Sequence, residues 1–210
     1  MYWRDIAWSI KTITPSTTPA LTVQEVKDRC RLWVTDDDAD IVGLIAAAQA
    51  QLELDTNCAA AVTVYQQTIT AFPGGPFDAP ADARLYGWSV NAAYMTQPSV
   101  PLMRWPLISV ASVTTYDTNN AASVFSSASY RTDTAGIPGR IVLNPNASWP
   151  SALRADQAVV IQFTAGFGSA NPLPAAYRLA MLLFVQHLYD GTPLSSAYNA
   201  LIADRMMTVA

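Results

Sequence analysis

Charge is scarce in this sequence. Asp, Glu, Lys and Arg supply 13% of 210 residues, about half the usual quarter for a soluble domain, and only two of the cations are lysines, Lys11 and Lys27. With a net charge of −4 and no basic run, the chain lacks the phosphate-neutralising stripe that sequence-reading nucleic-acid binding requires. Cysteine is nearly absent too. Cys30 and Cys58 stand far apart and form no CxxC pair, so they read as reduced, half-buried residues. The single histidine, His187, would have to serve any Ser-His-Asp or His-metal arrangement, and no GxSxG nucleophile motif accompanies it. The longest apolar runs, IVGLIAAA and LAMLLFV, are too short to span a bilayer. The first twenty residues lack the apolar stretch and small-residue cleavage site of a secretory signal, so synthesis inside the cell is expected.

What is present is hydrophobic material, 51% of the chain, with clear periodicity. Thr22-Val23-Gln24-Glu25 is a capping box and predicts a helix over 22–34, with Val23, Val26, Cys30 and Trp33 on its apolar face. Ile41, Leu44, Ile45, Ala48 and Leu52 predict a second helix over 36–56. Between them lies WVTDDDADI, which resembles a calcium loop because Asp36, Asp38 and Asp40 alternate. An EF-hand needs Gly at the sixth position and Glu at the twelfth, and here those are Ile41 and Ala47. The structural reading is the better one: Thr35 or Asp36 caps the helix, and the carboxylates sit at the positive end of its macrodipole, each worth about 0.3–1 kcal/mol.

From residue 61 to 165 the texture turns β-branched and aromatic, with AVTVYQQTITAF, LISVASVTTY, GRIVL and AVVIQFTA as strands. Alternation is clearest in the last, where Val159, Ile161 and Phe163 share a face. The β segment is interrupted over 73–103 by a Pro- and Gly-rich excursion, uncommon inside a compact domain. It carries Phe77, Tyr86, Trp88 and Tyr94, which would suit an interface or a self-packed loop. Asn171-Pro172-Leu173-Pro174 opens a third helix over 174–190, with Tyr177, Ala180, Met181, Phe184, Val185 and Leu188 apolar, closed by Gly191. Gly166-x-Gly168-x-x-Asn171 resembles a phosphate-cradling turn, but the third glycine is missing and two prolines remove amides, so it reads as a flexible corner. The last stretch, 192–210, is amphipathic: Leu194, Tyr198, Leu201, Ile202 and Met206 fall on one side, to dock on the chain's own body or on a neighbour.

The expected architecture is therefore α+β, a helical bundle with a mostly antiparallel sheet of four or five strands inserted between helices two and three. Residues 1–20 form an N-terminal arm, 21–191 the body and 192–210 a docking segment. In this order, LTVQEVKDRCRLWVTDDDADIVGLIAAAQAQLE, TAFPGGP, RWPLISVASVTTYD, SYRTD, PGRIVLNPNASWP, VVIQFTAGFG and NPLPAAYRLAMLLFVQHLYDG resemble the head-to-tail connector proteins of tailed bacteriophages and prophages, from about Leu21 to Gly191. The resemblance implies a structural adaptor without catalytic, metal or cofactor sites, made in the host cytoplasm and located in the virion neck. It implies a homo-oligomeric ring of twelve copies between the portal protein and a tail-side neck or tail-terminator protein, with DNA passing through unread. The portal-docking role would fall on Leu194, Tyr198, Leu201, Ile202 and Met206. A ring of twelve, each copy at −4, would carry roughly −48 in formal charge, which helps DNA pass without sticking. The sequence departs from that family in the first twenty residues and in the excursion. Two other readings stand beside it: a β-rich carbohydrate-binding module using Trp88, Tyr94 and Trp105 as stacking platforms, and a hydrolase using His187.

Overall fold

The computed structural model describes residues 8–33, 35–72 and 99–203, and these form two compact units. The architecture is α+β. One unit is a β unit, made by the described residues up to Pro15 together with Thr63–Ala165; the other is helical, made by Ser16–Val62 and the chain from Gly166 onward.

In the β unit, strands β1 (Trp8–Thr14), β2 (Thr63–Ile69), β3 (Ser99–Pro101), β4 (Leu107–Tyr116), β5 (Ala122–Val124), β6 (Tyr130–Asp133), β7 (Arg140–Leu143) and β8 (Val159–Ala165) pair into two sheets. The first runs β1-β2-β8-β4-β5 and the second β3-β7-β6, with every ladder among the described residues antiparallel. Strand β8 is central. Its period-2 pattern is the one visible in the sequence: Val159, Ile161 and Phe163 are fully buried, and Phe163 sits opposite Tyr65 of β2 and Val110 of β4. The Tyr65 and Phe163 rings lie 5.8 Å apart. Two register shifts in β4, between Leu107 and Ser109 and between Val110 and Ser112, are bulges that bend this strand.

Three features of this unit differ from the sequence expectation. The strands divide between two sheets. Residues 8–14, within the expected arm, form an edge strand on β2; its side chains are almost all exposed, so it carries little of the burial pattern that marks a strand. At the far end of the excursion, Ser99–Pro101 form β3 and pair with β7, while 73–98, with Phe77, Tyr86, Trp88 and Tyr94, lie outside the described residues. Beside these sheets Phe72 stacks on Trp149 with ring centroids 4.3 Å apart, and Phe125 touches Phe72, Trp149 and Tyr130. Arg140 at the start of β7 donates from Nε to Asp133 Oδ2 at 2.8 Å. Burial pushes the Asp133 carboxyl up, but the Arg140 hydrogen bond and charge and the amides of Gly136 and Ala135 outweigh it, leaving the group below its ordinary value.

The helical unit contains α1 (Val23–Cys30), α2 (Asp38–Thr56), α3 (Ala175–Asp190) and α4 (Ser196–Ala203). The capping box is present in full: the Glu25 amide donates to Thr22 Oγ1 at 3.2 Å, and the Thr22 amide to Glu25 Oε2 at 2.8 Å. The other Glu25 oxygen pairs with Arg178 of α3, whose second guanidinium nitrogen donates to the Ala20 carbonyl at 3.3 Å. One glutamate thus starts α1 and ties it to α3. The helix ends earlier than the sequence predicts, because Arg31 turns left-handed at φ 58 and its amide closes on the Lys27 carbonyl. Beyond that turn Trp33 leaves the apolar face and is 90% exposed.

Helix α2 begins at Asp38 with Asp37 as its N-cap residue and no side-chain cap bond, so neither Thr35 nor Asp36 caps it as expected. The Thr35 carbonyl instead accepts from the Asp38 amide at 3.2 Å. The buried positions of α2, Ile41, Ile45, Ala48, Leu52 and Thr56, include four of the five predicted apolar residues, Leu44 being only half-buried, and α2 packs against α3. In α3 Tyr177, Ala180, Met181 and Val185 are buried, whereas Phe184 is half-buried and Leu188 is exposed near the helix end.

The Gly166–Asn171 corner is close-packed where looseness was expected. Gly166 has φ +130, and a Cβ there would lie 2.2 Å from the Ala61 carbonyl oxygen. The Phe167 amide donates to the Ala59 carbonyl at 3.1 Å, and the Gly168 amide to the Asn171 carbonyl at 2.8 Å. Gly166 is there for close backbone approach, while a Cβ at Gly168 would meet the Val62 side chain at 2.8 Å.

Candidate assembly surfaces

The aspartate cluster fastens helices together. Asp37 Oδ2 accepts from the Tyr189 hydroxyl of α3 at 2.7 Å, and this hydrogen bond holds the tyrosine pKa above its usual value. Asp38 Oδ1 lies 2.6 Å from Lys27 Nζ of α1, and Lys27 is itself almost buried. The two carboxylates join the start of α2 to both neighbouring helices. Among the described residues no group of three or more His, Cys, Asp or Glu is arranged to hold a metal ion.

At the other end of α2 a second tyrosine–aspartate pair holds the C-terminal helix. The Tyr198 hydroxyl of α4 donates to Asp55 Oδ2 at 2.6 Å, and its ring contacts Phe184 at 5.7 Å between centroids. Tyr198 is 2% exposed and Ile202 3%, while Leu194 and Leu201 are half-buried. Four of the five expected docking anchors are therefore in view, and two of them pack into the chain's own helical unit. Met206 lies outside the described residues. The turn between α3 and α4 uses Gly191 at φ +63, and His187 Nδ1 meets the Thr192 carbonyl across it. The ring edge of His187 lies against Phe184 at 5.8 Å between centroids, so among the described residues the partners of the histidine are the turn carbonyl and an aromatic ring.

The aromatic-platform reading loses its third member, since Trp105 is 9% exposed. Sequence reasoning missed the Tyr189–Asp37 and Tyr198–Asp55 pairs. Each joins residues more than 140 positions apart, and nothing local to Tyr or Asp marks such a partner.

Among the described residues, the helical unit presents apolar helix at its surface. From Ile41 to Leu52 α2 carries no ionisable residue, yet Val42 is 57% exposed and, just beyond, Leu54 is 70% exposed. A helix that is hydrophobic all round is normally covered on every side.

The fold is shared with solved structures. The chain matches one described as "Neck of native GTA particle computed with C12 symmetry" with a TM-score of 0.67 at 21% identity, covering 96% of this chain and 97% of that one. It has the fold of a chain found in a neck. A chain in "Virion of native gene transfer agent (GTA) particle" matches with a TM-score of 0.69 at 21% identity, 96% of each chain being covered. One in "Neck of empty GTA particle computed with C6 symmetry" gives 0.67, again at 21% identity, over 96% of this chain and 97% of that one. No protein-family model matches the sequence, and no curated protein matches it.

Proposed function

We propose that this chain is a structural neck component of a phage-like particle, an adaptor that forms a ring of twelve copies between portal and tail and extends the DNA channel. The observation that carries this reading is the match over 96% of the chain to neck structures computed with C12 and C6 symmetry. The scarcity of charge supports it, since obligate interfaces resemble a domain core cut in half. An acidic balance of −4 per copy supports a channel that DNA crosses without being gripped. The ring's neighbours are the portal on one side and a tail-side neck or terminator protein on the other, and the chain performs no chemistry.

Portal docking falls on the C-terminal segment with a division of labour. Tyr198 and Ile202, buried against the chain's own helices, hold α4 in place, while Leu194, Leu201 and Met206 face the portal. Particles assembled without this protein should accumulate as filled heads and separate tails in electron micrographs; tailed particles in normal yield would overturn the neck assignment. A truncation after Ala203 keeps α4 and its tyrosine anchor and should retain the thermal midpoint. We expect it to lower attachment to portal-bearing heads about thirtyfold or more, the weight of one central anchor. Undiminished attachment would remove residues 204–210 from the docking surface.

A further inference from the structure

Gly43 is unexplained by the chain's own fold. It sits in the first half of α2, where glycine costs about 1 kcal/mol relative to alanine, and it needs no positive φ. A Cβ added there would meet nothing within 4 Å. Glycine in such a place is explained by the close approach of another backbone from outside. The residues around it agree. At 100° per residue, opposite the buried Ile41, Ile45, Ala48 and Leu52, the outward line of α2 is Ala39, Gly43, Ala46, Ala47, Ala50 and Leu54, all exposed. It is about 22 Å long, and no charge interrupts it between Asp40 and Glu53.

We infer that this outward face of α2 is the contact between neighbouring copies, and that it receives α3 of the next copy; the inference rests on the ring reading. The choice of occupant follows from the same unit. Opposite the buried residues of α3 stand Leu179, Leu182 and Leu183, part-exposed, a ridge of large side chains to match a line of small ones. Since α2 and α3 pack on each other through their buried faces, the groove and the ridge are turned away from each other within one chain. A groove and a ridge on different flanks make a head-to-tail contact, the kind that closes into a ring when the rotation allows. Small residues on α2 permit the short interaxial distance of about 8 Å. Neither surface offers the positive charge that a nucleic acid would need.

The test is native mass spectrometry of the full chain over a concentration series, with Gly43→Leu, Ala47→Glu, Leu183→Lys and the double variant Ala47→Glu/Leu183→Lys. The wild type should form rings. Gly43→Leu should weaken self-association at least about thirtyfold, as much as loss of a central anchor, while at a dilution where it and the wild type are both monomeric its thermal midpoint stays level or rises, because leucine is the better helix former. Each charged single variant should be monomeric and the double variant should regain rings. Rings that survive Gly43→Leu and Ala47→Glu would overturn the interface and leave the ring reading standing. A wild type that is monomeric at every concentration would overturn both. Loss of rings on changing α2 but not Leu183 would assign the groove to something other than α3 of the neighbouring copy and refute the pairing.

Discussion

Gly166→Ala should destabilise the protein by about 3–5 kcal/mol, the sum of backbone strain and overpacking at one site. The residue holds φ +130, where an L side chain is strained by about 1–3 kcal/mol. The new Cβ would stand 2.2 Å from the Ala61 carbonyl oxygen, 2.6 Å from its carbon and 2.9 Å from the Val62 nitrogen. All three are backbone atoms, so no rotamer change relieves the clash. Against a typical total stability of about 5–15 kcal/mol, such a loss would shift the denaturant midpoint far down or leave the chain insoluble. Gly191→Ala is the matched control: its φ is +63 but its Cβ meets nothing within 4 Å, so it should cost only about 1 kcal/mol. A Gly166→Ala midpoint indistinguishable from that of Gly191→Ala would refute the close-approach account.

Gln67→Leu should cost about 2–5 kcal/mol although it keeps the side-chain volume nearly constant. Gln67 is fully buried. Its amide nitrogen donates to the Pro101 carbonyl at 3.0 Å, and its carbonyl oxygen accepts from the Met103 amide at 2.9 Å. Leucine would take this partner from both part-buried backbone groups, each loss costing about 1–3 kcal/mol. The neighbouring Gln66, half-buried on the other face of β2, should tolerate leucine within about 0.5 kcal/mol. Urea unfolding of the two variants decides the matter, and equal midpoints would show that the Gln67 bonds contribute little. Hydrogen exchange at Met103 should speed up in the Gln67 variant alone.

These two residues also mark how far the sequence was readable. Alternation in TVYQQTI puts Tyr65, Gln67 and Ile69 on one side of a strand, so the inward direction of Gln67 could be foreseen. Its partners could not, because they come 34 and 36 residues later, across the excursion. Similarly, Thr22 and Glu25 announce the start of α1 through bonds made within four residues, whereas the end of α1 depends on Arg31 adopting a left-handed turn that glycine or asparagine would have advertised. Trp33 was misplaced for that reason. Strand β1 was invisible because an edge strand with both faces mostly in solvent has no apolar period to show. Of the docking residues, sequence pattern could place Leu194, Tyr198, Leu201 and Ile202 on one face of a helix, since periodicity reports that a face is apolar. It does not report whose surface covers that face, and the pairing of Tyr198 with Asp55 belongs to tertiary structure.

The uncharged length of α2 has a thermodynamic consequence. Between Ile41 and Leu52 there is nothing for counterions to screen, so association across that face should persist in molar salt that would part an electrostatic assembly. Burial of apolar surface lowers the heat capacity and weakens on cooling. Rings built on such a seam would be tighter at 37 °C than on ice, and dilution in the cold, rather than salt, would be the way to take them apart.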